Sequence, residues 1–174
     1  MSNSYGELSR EDGYVTAVME RETEASVQDI WSMLAKESNR VKWLAPGTLE
    51  LKKGGRAQLD FKDSYIVVDS EVTACTPNEL LEFSWSNVGD PRRPIRFELT
   101  KTPAGSNICL TVSIPDDEVV ARSCAGWESH LTMLQAAAAG VSVHFPIDRF
   151  KLCREEFDRQ LLTIMMADVE VLRL

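Results

Sequence analysis

Residues 116–140 read DDEVVARSCAGWESHLTMLQAAAAG. Within them Val120, Cys124, Trp127, Leu131, Leu134 and Ala138 recur at steps of four and three, which lines them up as one apolar stripe on a helix. The stripe predicts a helix from about Asp117 to Ala139, roughly 35 Å long at 1.5 Å per residue. Asp116, Asp117 and Glu118 place negative charge at its start, where it complements the helix dipole. The alanine run that ends in Gly140 suits its finish. An apolar stripe of this length needs a surface to cover.

The preceding residues supply that surface. From Leu49 to Ile114 the apolar period switches to two. Leu49 and Leu51 begin it, and Gly54-Gly55 marks a tight turn. Ala57, Leu59 and Phe61 then alternate with Gln58, Asp60 and Lys62, and Asp63-Ser64 turns the chain again. Ile66, Val68, Val72 and Ala74 share a face on which Ser70 is the polar member. After the Pro77-Asn78 turn, Leu81, Phe83 and Trp85 alternate with Glu82, Ser84 and Ser86. Beyond Gly89-Asp90-Pro91 come Ile95, Phe97 and Leu99, and beyond Ala104-Gly105 come Ile108, Leu110, Val112 and Ile114. Short connections make such strands antiparallel neighbours, apolar on one face and wet on the other.

Outside this block, residues 14–22 read as a first strand, with Val15, Ala17 and Met19 on one side. Ser26 and Asp29 form a capping box ahead of a short helix carrying Val27, Ile30, Trp31 and Leu34. A second helical piece is expected over Asn39 to Leu44, stopped by Pro46-Gly47. Residues 1–13 read as a polar arm, 14–140 as the domain, and 141–174 as a helical extension from Pro146 to about Val169. Phe150, Cys153, Phe157, Leu161 and Ile164 give that helix a stripe, and Val169, Val171, Leu172 and Leu174 follow. The stripe packs back on the domain or builds a two-fold homodimer interface.

The chain of 174 residues carries a net charge of −8 and has a pI near 4.8. Acidic charge repels phosphate backbones and anionic bilayers, so neither nucleic acid nor membrane is an expected partner. No segment reads as a signal peptide or a bilayer span, so a cytoplasmic location is expected. Cys75, Cys109, Cys124 and Cys153 form no C-x-x-C pair and read as reduced thiols. With two histidines, His130 and His144, no metal cluster is expected, and no cofactor. Motifs for phosphate-cradling loops, serine hydrolases and zinc proteases are absent.

Four stretches match a known pattern in order and spacing. They are Glu24-Ala25-Ser26-Val27-Gln28-Asp29-Ile30-Trp31, Val41-Lys42-Trp43-Leu44-Ala45-Pro46-Gly47, Gly54-Gly55-Arg56 and Ala125-Gly126-Trp127-Glu128-Ser129-His130-Leu131. Together they resemble the START-like (SRPBCC) superfamily, and within it the bacterial relatives of the activator of heat-shock protein 90 ATPase, over residues 14–140. The resemblance implies an α+β helix-grip fold, a curved antiparallel sheet wrapped on a long helix; with the residue pattern this gives six to seven strands, two short helices after the first strand and, from residues 146–169, an extra C-terminal helix. It implies a hydrophobic cavity for a small apolar molecule. The eukaryotic activators carry a further chaperone-binding domain with no counterpart here, which weighs against a chaperone as partner. Many relatives have histidine where this chain has Ser123, and the tail after residue 145 varies within the family.

The expected pocket lining is Trp43, Phe61, Val68, Ser70, Phe83, Trp85, Phe97, Ser123, Trp127, His130, Leu131 and Leu134. Gly126 costs about 1 kcal/mol inside a helix; close packing against the sheet is the expected compensation, space for a ligand the alternative. Ser123, Gly126 and His130 share a flank beside the stripe. Ser123 and His130 lie two turns apart, roughly 10 Å, too far for a nucleophile and its base. Asp60, Glu71, Glu82 and Glu98 fall on the solvated strand face, and Arg92, Arg93 and Arg96 form a basic cluster near a loop. Small-molecule binding is therefore the leading function. A chaperone cofactor and a cavity enzyme of cyclase or hydrolase type stand as alternatives, and no catalytic residue is assigned.

Overall fold

The computed structural model describes residues 5–61 and 66–171. The chain runs β1 (Glu7–Glu11), β2 (Tyr14–Thr23), α1 (Val27–Ala35), α2 (Glu37–Arg40), β3 (Gly47–Leu49), β4 (Arg56–Phe61), β5 (Ile66–Thr76), β6 (Leu80–Ser84), β7 (Pro94–Thr102), β8 (Gly105–Pro115), α3 (Val120–Ala138) and α4 (Ile147–Val171). The strands form one antiparallel sheet in the order β1-β2-β8-β7-β6-β5-β4-β3. It curves around α3, which gives the helix-grip fold. The inward rows of β2, β7 and β8 are buried from Val15 to Met19, Ile95 to Leu99 and Ile108 to Ile114. Ser26 caps α1 through the Asp29 N–H at 3.1 Å, and Asp29 returns a bond to the Ser26 N–H, so the expected capping box is present.

The sheet has eight strands, not six or seven, because residues 7–11 of the expected polar arm form an edge strand. Its sequence, ELSRE, lacks alternation because Leu8 alone of the strand packs against the core; the other side chains face water. The turn into β2 is Asp12-Gly13, with φ of 51° and 78°, the two-residue hairpin that such positive angles favour. The second short helix lies at Glu37–Arg40, ahead of the expected Asn39 to Leu44, and the chain continues from it as turns. There Arg40 is buried and donates to the Leu34 and Ala35 carbonyls at 3.1 and 3.3 Å, and also to the Gly47 carbonyl. It therefore closes the C-terminal end of α1, where a cation is favoured. Burial lowers the Arg40 pKa from its ordinary value.

Strand register brings further corrections. Leu51 lies beyond β3 and is exposed. In β5 a bulge between Val72 and Ala74 shifts the alternation. Ala74 then sits opposite Glu82, and Cys75, opposite buried Leu81, takes over the core row. Ile66 is exposed as well. The helix begins at Val120 rather than Asp117, since two of the acids before it are engaged elsewhere. Asp116 accepts from Arg10 Nε and Glu118 from Arg93 Nε, each at 2.8 Å. The expected arginine cluster is dispersed into ion pairs: Arg92 with Glu71, Arg93 with Glu118, and Arg96, within β7, with Glu82 and Glu98. The Asp63-Ser64 turn, Lys62, Leu172 and Leu174 lie outside the described residues, as do the first four residues of the arm.

α4 folds back on α3 and on β1 of its own chain. Cys153 and Phe157 are fully buried, with Phe150 and Leu161 packed beside them. Gln160 reaches the outer edge of β1, accepting from the Leu8 N–H at 2.9 Å and donating to the Gly6 carbonyl at 3.0 Å. Leu162, Met165, Met166 and Val169 remain exposed on another flank of α4.

Candidate functional site

The helix α3 has three kinds of side. Helical spacing sets Val120, Cys124, Trp127, Leu131 and Leu134 toward the sheet, and all five are buried. A second side carries Ala121, Ala125, Glu128 and Ser129, also buried. Here Glu128 has no exposed surface and is held by Arg21 of β2 and by Arg149 of α4, whose Nε lies 3.0 Å from both carboxylate oxygens. The Cys153 thiol donates to the same carboxylate at 3.1 Å, and the Arg149 guanidinium lies 5.2 Å from the Tyr5 ring centroid. Burial, with Glu128 adding to it, pushes the Cys153 pKa up to about 12, so this thiol stays protonated. The arrangement clamps β2, α3 and α4 together.

The third side is the flank of Ser123, Gly126 and His130, each half-buried. A Cβ built on Gly126 would meet no described residue within 4 Å. The expected close packing at this glycine is therefore not found among the described residues, which leave space above it. Beside that space runs a chain of aromatic rings. Trp85 meets Trp127 edge-on at 4.8 Å between centroids and Phe61 at 5.5 Å. His130 contacts Phe61 at 5.9 Å, Trp127 at 6.0 Å and Phe145 at 5.7 Å. Phe97 joins the far end, 6.4 Å from Trp127 and 6.0 Å from Trp43. The backbone of α3 closely approaches β2 and β8 but has no comparable approach to β4, β5 or β6. On that half the distance from helix to sheet is spanned by ring side chains.

His130 Nδ1 lies 2.8 Å from the Trp43 carbonyl. A carbonyl can only accept, so Nδ1 carries the proton and Nε2 of the neutral ring keeps its lone pair. Among the described residues Nε2 has no hydrogen-bond partner, and it is not a sealed, unsatisfied atom either. Burial lowers the His130 pKa from its ordinary 6.5, partly opposed by the bond to Trp43. The ring is thus neutral at neutral pH.

Of the expected lining, Phe61, Phe83, Trp85, Phe97, Trp127, His130 and Trp43 come together in this connected set of rings. Trp43 itself is buried and donates its indole N–H to the Met33 carbonyl at 2.9 Å. Val68, Leu131 and Leu134 are fully enclosed in the core. Ser70 goes elsewhere. On the N-terminal side of Val72 the pairing of β5 with β6 opens, and the opening is bridged by the Ser70 hydroxyl, which donates to the Ser84 carbonyl at 2.6 Å, and by the Asp69 N–H, which donates to the Ser86 carbonyl at 3.1 Å. Ser84 and Ser86, expected on the wet face, are buried and bonded to each other at 2.7 Å. This opening forms a polar cleft of about 500 Å³ with Asp69, Glu71 and Arg92 on its rim. A second, open cleft of about 850 Å³ lies between Val27 of α1 and Leu80, Leu99 and Pro103 at the opposite sheet end. Neither includes a residue of α3. Phe145, from the connector into α4, joins the rings without any periodic pattern that announces it.

The family described as activator of Hsp90 ATPase homolog 1-like protein matches residues 24–139, more than half of the chain. The chain belongs to this family. No curated protein matches it. Among solved structures it is similar to a conserved protein of unknown function from Enterococcus faecalis, 19% identical, covering 91% of both chains with a TM-score of 0.75. It is also similar to CalU16 from Micromonospora echinospora, at 18% identity over 84% of this chain and 88% of that one, TM-score 0.71. A protein from Bordetella parapertussis gives 20% identity, 92% and 94% coverage and a TM-score of 0.66. These likenesses establish the fold. Among the described residues no group of histidine, cysteine and carboxylate side chains is arranged to hold a metal ion. No helix there is long and apolar enough to cross a membrane.

Proposed function

We propose that this protein binds a small, largely apolar molecule against the rings between α3 and the β4–β6 half of the sheet. The observation that carries this reading is the half-buried set Phe61, Trp85 and His130 beside the open space at Gly126. Half-buried apolar rings beside space that no described residue fills are what an apolar ligand covers. The open space also accounts for a glycine in mid-helix, where alanine is the better helix former. The expected Val68, Leu131 and Leu134 then act behind the rings as support for the site.

Catalysis lacks a comparable basis. His130 Nδ1 is engaged by a backbone carbonyl, and among the described residues no hydroxyl, thiol or carboxylate is bonded to the ring. The Cys124 thiol, buried on the sheet side, has its pKa raised to about 12 by burial and stays protonated. The family description names activation of a chaperone ATPase; no side-chain group here favours that activity over ligand binding.

The test uses N-phenyl-1-naphthylamine, a neutral apolar fluorophore, titrated into the full chain. Saturable one-to-one enhancement and a rise in melting temperature are expected. Gly126→Trp, which fills the space from a position that meets no described residue, should remove both while the circular dichroism spectrum is kept. Unchanged binding in a folded Gly126→Trp variant would place the ligand elsewhere and end this reading.

A further inference from the structure

The rings offer few polar atoms to a ligand, and those few differ in kind. The indole nitrogens of Trp85 and Trp127 can only donate a hydrogen bond. The Trp43 indole N–H is already engaged by the Met33 carbonyl. His130 is the exception: its Nδ1–H is committed to the Trp43 carbonyl at 2.8 Å, which leaves Nε2 as an acceptor. Phe61, Trp127 and Phe145 surround that imidazole at 5.7 to 6.0 Å between ring centroids. The Trp43 backbone thus fixes both the tautomer and the orientation of the ring.

Building on the ligand-binding reading above, we infer that the site selects an apolar molecule bearing a hydroxyl, phenolic or alcoholic, which donates its hydrogen bond to His130 Nε2. A ligand that buries an ether or a carbonyl at this point would set two acceptors against each other and leave both unsatisfied. That mismatch is more costly than the bond is favourable, because a buried polar group without a partner bears its full desolvation penalty. A carboxylate is disfavoured twice: it loses its hydration among rings, and it finds a neutral imidazole in place of a cation. His130 is accordingly the specificity-determining residue, and Trp43, acting through its carbonyl, is a positioning residue.

The experiment compares 2-naphthol with 2-methoxynaphthalene, the same ring system with and without the donor, by calorimetric titration into the full chain. Wild type is expected to bind the naphthol about five- to tenfold more tightly, the effect of one hydrogen bond. His130→Phe should erase the preference and leave the methoxynaphthalene affinity within about twofold, while His130→Gln, which retains an acceptor oxygen, should keep part of it. Should His130→Phe fail to fold, the side-chain nitrogen NMR signals of wild-type His130 give a second readout. Saturating naphthol should move the Nε2 signal, and methoxynaphthalene should leave it in place. Equal affinity of wild type for the two probes, or naphthol binding without movement at Nε2, overturns the inference while ligand binding stands. If neither probe binds, the ligand-binding reading fails and this inference falls with it.

Discussion

The two halves of the sheet treat α3 in opposite ways. On the β2 and β8 side, backbone meets backbone closely, and α4 closes over the back of the helix through small residues and the Glu128 clamp. On the β4–β6 side, rings bridge the distance, several of them half-buried, beside open space at Gly126. One helix therefore carries its tight packing on one side and the candidate site on the other. A buried charge thus marks the closely packed half, and half-buried rings mark the half beside the space at Gly126.

The closely packed half depends most on Glu128. Glu128→Ala leaves Arg21 and Arg149 without their shared carboxylate and should cost about 3–5 kcal/mol in urea unfolding. A loss below about 1 kcal/mol would show that solvent screens the clamp. On the other half, Trp85→Ala should cost only about 1–2 kcal/mol, since the ring is partly exposed and loses mainly its edge-on contacts. The same change should lower N-phenyl-1-naphthylamine affinity by at least about tenfold; a large stability loss with unchanged affinity would reverse the assignment of the halves.

Two smaller effects sharpen the contrast. The pKa of His130 is depressed in the folded state, so the unfolded chain binds this proton more readily. Stability is then fully present above the unfolded value of about 6.5 and falls as pH drops from there to the folded pKa, by at most about 1.4 kcal/mol per pH unit. Unfolding measured between pH 7 and pH 5 should show that segment of slope in wild type and lack it in His130→Gln. Gly126→Ala should raise stability by about 0.5–1 kcal/mol, because the added methyl meets no described residue and the helix gains a better former. Destabilisation by Gly126→Ala would mean that the flank is more crowded than its geometry implies.

Much of the fold is legible in the sequence, because period-two and period-3.6 patterns report burial directly. The stripe through Trp127 and the alternating rows of β4, β6, β7 and β8 are of this kind. What escapes the pattern is decided by contacts distant along the chain. β1 has no apolar rhythm, and only its Asp12-Gly13 turn signals a hairpin. Nothing near Ala74 announces a bulge, since the pairing with β6 sets it. Glu128 reads as a polar helix position until Arg149 and Cys153, more than twenty residues later, enclose it. In the candidate site, the rings of Trp85, Phe61 and His130 follow from their strand and helix faces. Phe145, in an aperiodic connector, and the engagement of His130 by the Trp43 backbone do not.

Gln160 carries a consequence of a different kind. The outer edge of β1 would otherwise present unpaired backbone groups, a template on which the strand of another molecule can add. The side-chain amide of Gln160 offers one donor and one acceptor to that edge, as a neighbouring peptide group would. A single residue of α4 thus imitates one unit of a ninth strand, while the opposite edge, β3, is only three residues long. By this arrangement α4 guards the β1 edge against pairing with the strand of another molecule, a role separate from that of the candidate site.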